Sequence, residues 1–295
     1  MKELFFSVII PTYKDQIRLI TCLEALINQN LPIDQFEVIV VNNDPEGEPT
    51  VDDNFYKQLQ LTVITELKPG SYAARNLGIK HARGKVLAFT DSDCLPERDW
   101  LENAKIHFQK DISKNIGILA GDVHLFYKDV EKLTPTEIFE SFTAFRISSQ
   151  VANGYCVTAN WFSYKEIIEE FGGFNSELKS NGDNELSLRI FKKYKIVYGA
   201  DVVVKHPARH ELKDLLNKFR RVTGGTYVRK YKNNSLAFMK HLLDFTFGLI
   251  KLATKKLFTI SLRKSIPLLQ VCGAIIIHVW KEYFSLVFLH AETKR

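Results

Sequence analysis

The sequence predicts an α/β fold in which a mostly parallel central sheet is flanked by helices, followed by a basic, apolar, helical C-terminal extension. Over the first 95 residues, short β-branched runs alternate with helical periodicity, as a parallel sheet with crossover helices requires. An apolar strand ends in two aspartates spaced by two, Asp91 and Asp93. From about Asp214 onward the chain changes to interleaved basic and apolar residues.

Ser7 to Ile10 and Phe36 to Val41 read as strands, and between them Ile17, Ile20, Leu23, Leu26 and Ile27 recur at helical spacing. Leu61 to Thr65 reads as a third strand, Tyr72 to His81 as a helix and Lys85 to Phe89 as a fourth strand. Further on, Ile116 to Phe126 and Tyr155 to Phe162 read as strands flanking a helix near 135 to 150. Phe171 to Asn175 is a turn, and Glu185 to Tyr194 a helix. Residues 1–212 form the expected main domain, with halves 1–95 and 96–212, and 213–295 the extension. Within the extension, Ile266 to Trp280 is a largely uncharged run of 15 residues. That falls short of the roughly 18 to 20 that span a bilayer, so it reads as a buried or interfacial helix.

At 295 residues, 45% apolar and 25% charged, the chain is globular and long enough to bury a full core. Cys22, Cys94, Cys156 and Cys272 are scattered, which argues against a zinc site or a disulfide framework and for a reducing compartment. The apolar run from Phe5 is cut off by Pro11, so it reads as a strand rather than a signal peptide, and the expected location is the cytosol. Residues 205–295 hold 18 Lys or Arg against 5 Asp or Glu, a net +13, which leaves −7 for residues 1–204 of the +6 total. No aromatic RNA-binding motif or zinc finger accompanies the basic residues, which excludes a nucleic-acid partner.

In a strand, side chains alternate faces, so Asp91 and Asp93 emerge together at the carboxyl end of the fourth strand, where ligands of open α/β sheets sit. Hard oxygen ligands of this kind suit Mg²⁺ or Mn²⁺ shared with substrate phosphates. An Asp-x-Asp alone also fits a turn or a helix cap. In Gly70-Ser-Tyr-Ala-Ala-Arg-Asn-Leu-Gly78, Gly70 permits close backbone approach, the helix start favours anions and Arg75 can grip a phosphate bidentately. The alternative there is a solvated helix with an ion-paired Arg.

Ser7-Val-Ile-Ile-Pro-Thr-Tyr13, Val40-Val-Asn-Asn-Asp44, the Gly70 to Gly78 segment, Asp91-Ser-Asp93 and Asn181-Gly-Asp-Asn-Glu-Leu186 come in the order found in family 2 glycosyltransferases. Over roughly residues 5 to 230 the chain resembles that family, whose nucleotide-sugar-binding fold is called GT-A. The resemblance implies that Pro11, Thr12 and Tyr13 touch the nucleotide and that Gly70, Arg75, Asn76, Asp91 and Ser92 meet the donor. Asn42 stands where the family has an acidic residue that hydrogen-bonds the base; its amide oxygen suits a uracil N–H and its NH₂ another base. Asp91 and Asp93 would hold Mn²⁺ or Mg²⁺, with His206 approaching the metal or a phosphate. Asp183 aligns with the catalytic base, Gly182 stands where many members have Glu, and Glu185 is the second candidate base. Asn160, Trp161 and Glu185 fall on the acceptor side, Trp161 suiting a sugar face or the core equally.

The implied activity is inverting, metal-assisted transfer from a nucleotide diphosphate-sugar, UDP-linked first among them, to a glycan or lipid-linked hydroxyl in cell envelope polysaccharide synthesis. Arg220, Arg221, Lys255, Lys256, Arg263 and Lys264 suit the inner face of an anionic membrane, or an amphipathic helical cap. Two rivals stand beside this reading: a nucleotidyltransferase, and a catalytically inactive nucleotide-sugar-binding protein associated with a membrane.

Overall fold

A computed structural model describes residues 4–47 and 49–289. Strands β1 (Phe6–Thr12) and β2 (Phe36–Asn42) are buried along their whole length, as central parallel strands covered on both faces must be. Helix α1 (Gln16–Ile27) between them turns Leu19, Cys22, Leu23 and Leu26 inward; only Leu23 and Leu26 belong to the expected stripe, and Ile17 points out to solvent, 83% exposed. Then follow α2 (Asp53–Gln58), β3 (Leu61–Thr65), α3 (Ser71–His81) and β4 (Val86–Phe89). A Cβ on Gly78 would lie 2.5 Å from Ile9 Cγ2, so the missing side chain lets α3 lie close on the sheet.

The remaining elements are β5 (Leu95–Pro96), α4 (Trp100–Lys110), β6 (Ile116–Phe126), α5 (Pro135–Thr143), α6 (Ile147–Val151), β7 (Trp161–Tyr164), α7 (Lys165–Glu170), α8 (Gly182–Phe191) and β8 (Lys195–Pro207). They complete an eight-stranded sheet in the order β3-β2-β1-β4-β7-β6-β8-β5. β3, β2, β1 and β4 run parallel, with Thr12, Asn42 and Thr65 in register, so their carboxyl ends open on one edge. β7 joins antiparallel to β4 and β6, and β5 antiparallel to β8.

The α/β fold with its parallel core is the class the sequence predicts, but three middle elements differ. The expected strand from Tyr155 begins only at Trp161, because Thr158–Asn160 forms a 3-10 turn. The helix expected near 135 to 150 is two helices, broken at Phe145, whose φ of 45° no helix accommodates. α8 starts at Gly182, which puts Asp183 inside its first turn rather than ahead of it.

The chain divides into two compact units: residues 1–124, 145–177 and 182–206, and residues 125–144, 178–181 and 207–295. The division near 207 lies close to the expected boundary at 212, but the second unit also draws in α5. It contains α9 (Leu212–Thr226), α10 (Ser235–Leu257) and α11 (Leu262–Phe288). Ile138 and Phe139 of α5, Leu215 of α9, Leu249 of α10 and Leu268 and Ile275 of α11 share its core. α5 is started by a capping box between Thr134 and Glu137, with Pro135 at its first position. The uncharged run Ile266 to Trp280 lies within α11, which runs 27 residues through Pro267 and is, by length and composition only, apolar enough to cross a membrane. One face is nevertheless buried in the bundle, and Glu282 on it accepts from Arg220 Nε at 2.8 Å.

Candidate active site

The site lies in the first unit, at the edge where the parallel strands end. Thr12 and Asn42, closing β1 and β2, line a cleft of about 260 Å³ with Lys14, Asp15, Gln16, Asp44, Gly47 and Pro49. Pro11 is buried at the end of β1, and Tyr13 is exposed just beyond it with the Lys14 ammonium 5.4 Å from its ring centre. The Asn42 side chain shapes the cleft wall: its NH₂ donates to the carbonyls of Asp44 and Gly47 at 2.9 and 2.7 Å, and its oxygen accepts from Asp44 N at 3.0 Å. With both N–H groups committed, only the second lone pair of the oxygen is left to meet a base.

Gly70 precedes α3 with a φ of 130°, a backbone state that side chains oppose. Its N–H donates to Asn43 Oδ1 at 2.6 Å, while the Asn43 amide donates to the carbonyls of Glu66 and Lys68. Asn43, which the sequence reading left aside, therefore fastens this loop to the end of β2. Arg75, one turn into α3, is 3% exposed and donates to Asp91 Oδ1 at 2.5 Å. It is ion-paired as the alternative reading held, yet buried rather than solvated. The Asn76 amide holds both backbone groups of Phe174, at 2.7 and 2.9 Å, and so pins the Phe-Gly-Gly-Phe turn.

Asp91, Ser92 and Asp93 follow β4. Ser92 Oγ donates to Asp15 Oδ2 at 3.3 Å, Arg18 reaches Asp93 Oδ2 at 3.4 Å, and His206 Nε2 lies 3.8 Å from Asp93 Oδ1. Burial, aided by the charges of Asp91 and Asp15, pushes the Asp93 carboxyl up, while His206 and Arg18 oppose the shift. Asp93, Cys94 and His206 present ligand atoms within 4.8 Å of one another. Burial keeps the Cys94 thiol protonated, so the donors that fit a hard cation are carboxylate and imidazole, and a buried carboxylate crowded by like charge is one that such a cation relieves. Asp91 accepts from Arg75 through Oδ1.

Asp183 stands nearby. Burial raises its carboxyl pKa, Arg75 works against the rise and Asp91 adds to it. Its Oδ1 accepts from Asn184 N at 2.9 Å and from the Tyr72 hydroxyl at 3.5 Å. A Cβ at Gly182 would meet the Tyr72 ring at 2.7 Å, the physical reason no acid precedes Asp183 here.

The three acceptor-side candidates are all engaged by the protein itself. Trp161 is fully buried and packs against Phe89 and Phe174, so it shows no face to a sugar. The Asn160 amide is spent on the protein, accepting from Trp100 Nε1 and donating to the carbonyls of Asp122 and Val202. Glu185 grips Arg189 with both oxygens at 2.7 and 2.9 Å, and Arg189 donates on to the carbonyls of Phe171 and Gly173. Through Arg189 it braces the turn.

Asp15, Arg18 and Tyr72 were missed as site residues. Asp15 had a local signal, since it occupies the cap position of α1 without capping it; its carboxylate turns instead to Arg18 Nε and Ser92 Oγ. Arg18 and Tyr72 had none, because both meet the site only through tertiary packing.

Strand-end carboxylates beside an anion-ready helix start, with a further half-buried carboxylate held by Tyr72, suit an enzyme that moves a group off a phosphorylated donor: a nucleotide-sugar glycosyltransferase. The chain belongs to glycosyltransferase family 2, whose description, "Glycosyl transferase family 2", is matched by residues 7–159. It is 33% identical over 227 residues to the glycosyltransferase AglE of Haloferax volcanii, spanning 75% of this chain and 72% of that one. Over 230 residues it is 25% identical to the dolichyl N-acetyl-alpha-D-glucosaminyl phosphate 3-beta-D-2,3-diacetamido-2,3-dideoxy-beta-D-glucuronosyltransferase of Methanococcus voltae, 72% of this chain and 70% of that one. In structure it resembles the mannosyltransferase PcManGT from Pyrobaculum calidifontis, solved with GDP-Man and Mn2+, at a TM-score of 0.63 over 97% of this chain and 88% of that one. At 19% identity that likeness shows the fold.

Proposed function

We propose that this glycosyltransferase inverts the anomeric centre, taking a sugar from a UDP-linked donor to the hydroxyl of a lipid-linked or glycan acceptor at the cytosolic face of a membrane. The observation that carries the reading is Asp183: a half-buried carboxylate that accepts from the Tyr72 hydroxyl and feels the charges of both Arg75 and Asp91. An inverting displacement needs one carboxylate opposite the leaving group, and a raised pKa brings that base nearer to the proton it must accept.

Asp93, His206 and Asp91 would hold Mn²⁺ or Mg²⁺. A divalent cation so held supplies Lewis-acid neutralisation of the charge that develops on the departing nucleoside diphosphate. Asp183 takes the proton of the acceptor hydroxyl as its oxygen bonds the anomeric carbon and the sugar–phosphate bond breaks. Tyr72 steadies Asp183, and Arg75 holds Asp91 from behind. The wall built by Thr12 and Asn42 receives the nucleotide, and the committed NH₂ of Asn42 favours a base that donates, as the uracil ring N–H does. Relatives named for a dolichyl-phosphate acceptor and for teichoic acid biosynthesis support the acceptor class.

The test is nucleoside diphosphate release from a panel of UDP-, GDP- and dTDP-sugars with Mn²⁺ or Mg²⁺, in the presence of lipid-linked and glycan acceptors. Metal-dependent turnover of a UDP-sugar, lost in Asp183→Asn, with the product anomer opposite to the donor's, is the expected result. Donor binding without turnover across the acceptors would instead favour the inactive binding protein, and pyrophosphate release from a triphosphate the nucleotidyltransferase.

A further inference from the structure

From Phe245 through Lys281 the chain carries six Lys or Arg and no Asp or Glu. Four of them bracket the joint between α10 and α11, which reads Lys255-Lys-Leu-Phe-Thr-Ile-Ser-Leu-Arg-Lys264. At that joint Phe258 is 89% exposed and Leu262 64% exposed. Lys255, Arg263 and Lys264 are exposed as well, with no acidic partner among the described residues. Lys256 is fixed beside them, its ammonium 3.7 Å from the centre of the Phe142 ring. Further along the two helices, Phe247 and Ile250 on α10 and Ile266 and Leu269 on α11 are exposed as well.

A corner between two helices in water is ordinarily polar, because nothing is gained by holding a phenylalanine and a leucine out to solvent. Apolar residues ringed by unpaired cations complement one environment in particular, the headgroup and acyl boundary of an anionic bilayer. We infer that the α10–α11 joint seats on such a bilayer, Phe258 and Leu262 entering the acyl boundary while Lys255, Arg263 and Lys264 meet lipid phosphates. This rests on the membrane-face placement proposed above and names the part of the chain that makes the contact. α11 stays with its bundle rather than crossing, since a spanning helix would expose buried Ser265 and the Glu282 that Arg220 holds.

The test is flotation of the purified full chain with vesicles of phosphatidylcholine alone and of phosphatidylcholine mixed with phosphatidylglycerol, in the absence of any donor. Wild type is expected to float with the anionic vesicles only and to be released by raised salt. Lys255→Gln/Arg263→Gln/Lys264→Gln should weaken binding on the order of 10²-fold, at roughly fivefold per cation. Phe258→Ser/Leu262→Ser should lose it while keeping the wild-type thermal unfolding midpoint. Nucleoside diphosphate release onto a soluble acceptor should be unchanged in both variants, so this arm fails or holds independently of the transferase reading. The inference is overturned if wild type stays off anionic vesicles or both variants still bind. Light scattering in which the serine variant alone loses a dimer, with no vesicle binding by wild type, would make the occupant a second copy of the chain. Resistance of wild type to salt and alkaline wash would make α11 a span.

Discussion

The strand-end site of the first unit and the bundle of the second treat carboxylates in opposite ways. In the first, Asp15, Asp91, Asp93 and Asp183 converge at the strand ends, where burial and mutual repulsion raise the Asp93 and Asp183 carboxyl pKa values and two arginines only partly compensate. In the second, the buried acids among the described residues already have partners: Glu140 holds Arg209 and Lys218, Glu282 holds Arg220, and Glu137 sits against the His210 ring and closes its own capping box. Accordingly Glu140 lies below the usual carboxylate range, with Lys218 and Arg209 overcoming the effect of burial. The difference teaches which charges are structural. Acids satisfied from within serve the fold, and acids left short of positive charge wait for something from outside.

The comparison breaks most sharply on the unsatisfied acids. Asp183→Asn should lower kcat by about 10² to 10⁴-fold with little change in donor affinity, the loss ordinarily seen on removing a general base. Asp93→Ala should abolish the metal-dependent part of turnover, read as nucleoside diphosphate release with and without chelator. On the satisfied side, Arg220→Ala should leave donor turnover per folded molecule intact and cost about 2 kcal/mol in denaturant unfolding. That is below the full cost of breaking a buried pair because the Arg220 side chain is 30% exposed. Trp161→Phe should cost about 1 to 2 kcal/mol of stability with no change in KM, in keeping with its place in the core.

The smallest effect is the most discriminating. A carboxyl whose pKa is higher in the folded than in the unfolded state favours folding while protonated and opposes it once ionised, so its contribution is lost as pH rises through the folded value. Asp183→Asn should therefore raise the thermal midpoint at neutral pH, and the gain should vanish below about pH 4, near the ordinary carboxylate value. A structural aspartate of the Glu140 kind would show the reverse.

Much of the first unit was legible because its signals are local. The β-branched runs of β1 and β2, the Asp-x-Asp at the end of β4 and Gly70 ahead of α3 each state a requirement within a few residues. What could not be read were partners chosen by packing. Nothing in the order of residues says that Asn76 will clamp Phe174, ninety-eight positions away, or that Asn160 will be consumed by Trp100 and two carbonyls. Trp161 and Glu185 have the chemistry of a site and are used for structure, which only their burial and bonds reveal. The second unit was read as basic and helical from composition, but its recruitment of α5 rests on apolar contacts made by Ile138 and Phe139 far along the chain.

The Tyr72 ring beside Gly182 constrains how this enzyme can change. A glutamate at 182 would collide with a packed aromatic, while a smaller residue at 72 would leave a void and remove the hydroxyl that reaches Asp183. Either step alone moves downhill, and their effects cannot add because the two residues occupy the same space. Gly182 and Tyr72 thus behave as one unit of inheritance: a lineage carrying this pair can regain an acidic neighbour for its base only by changing both positions together.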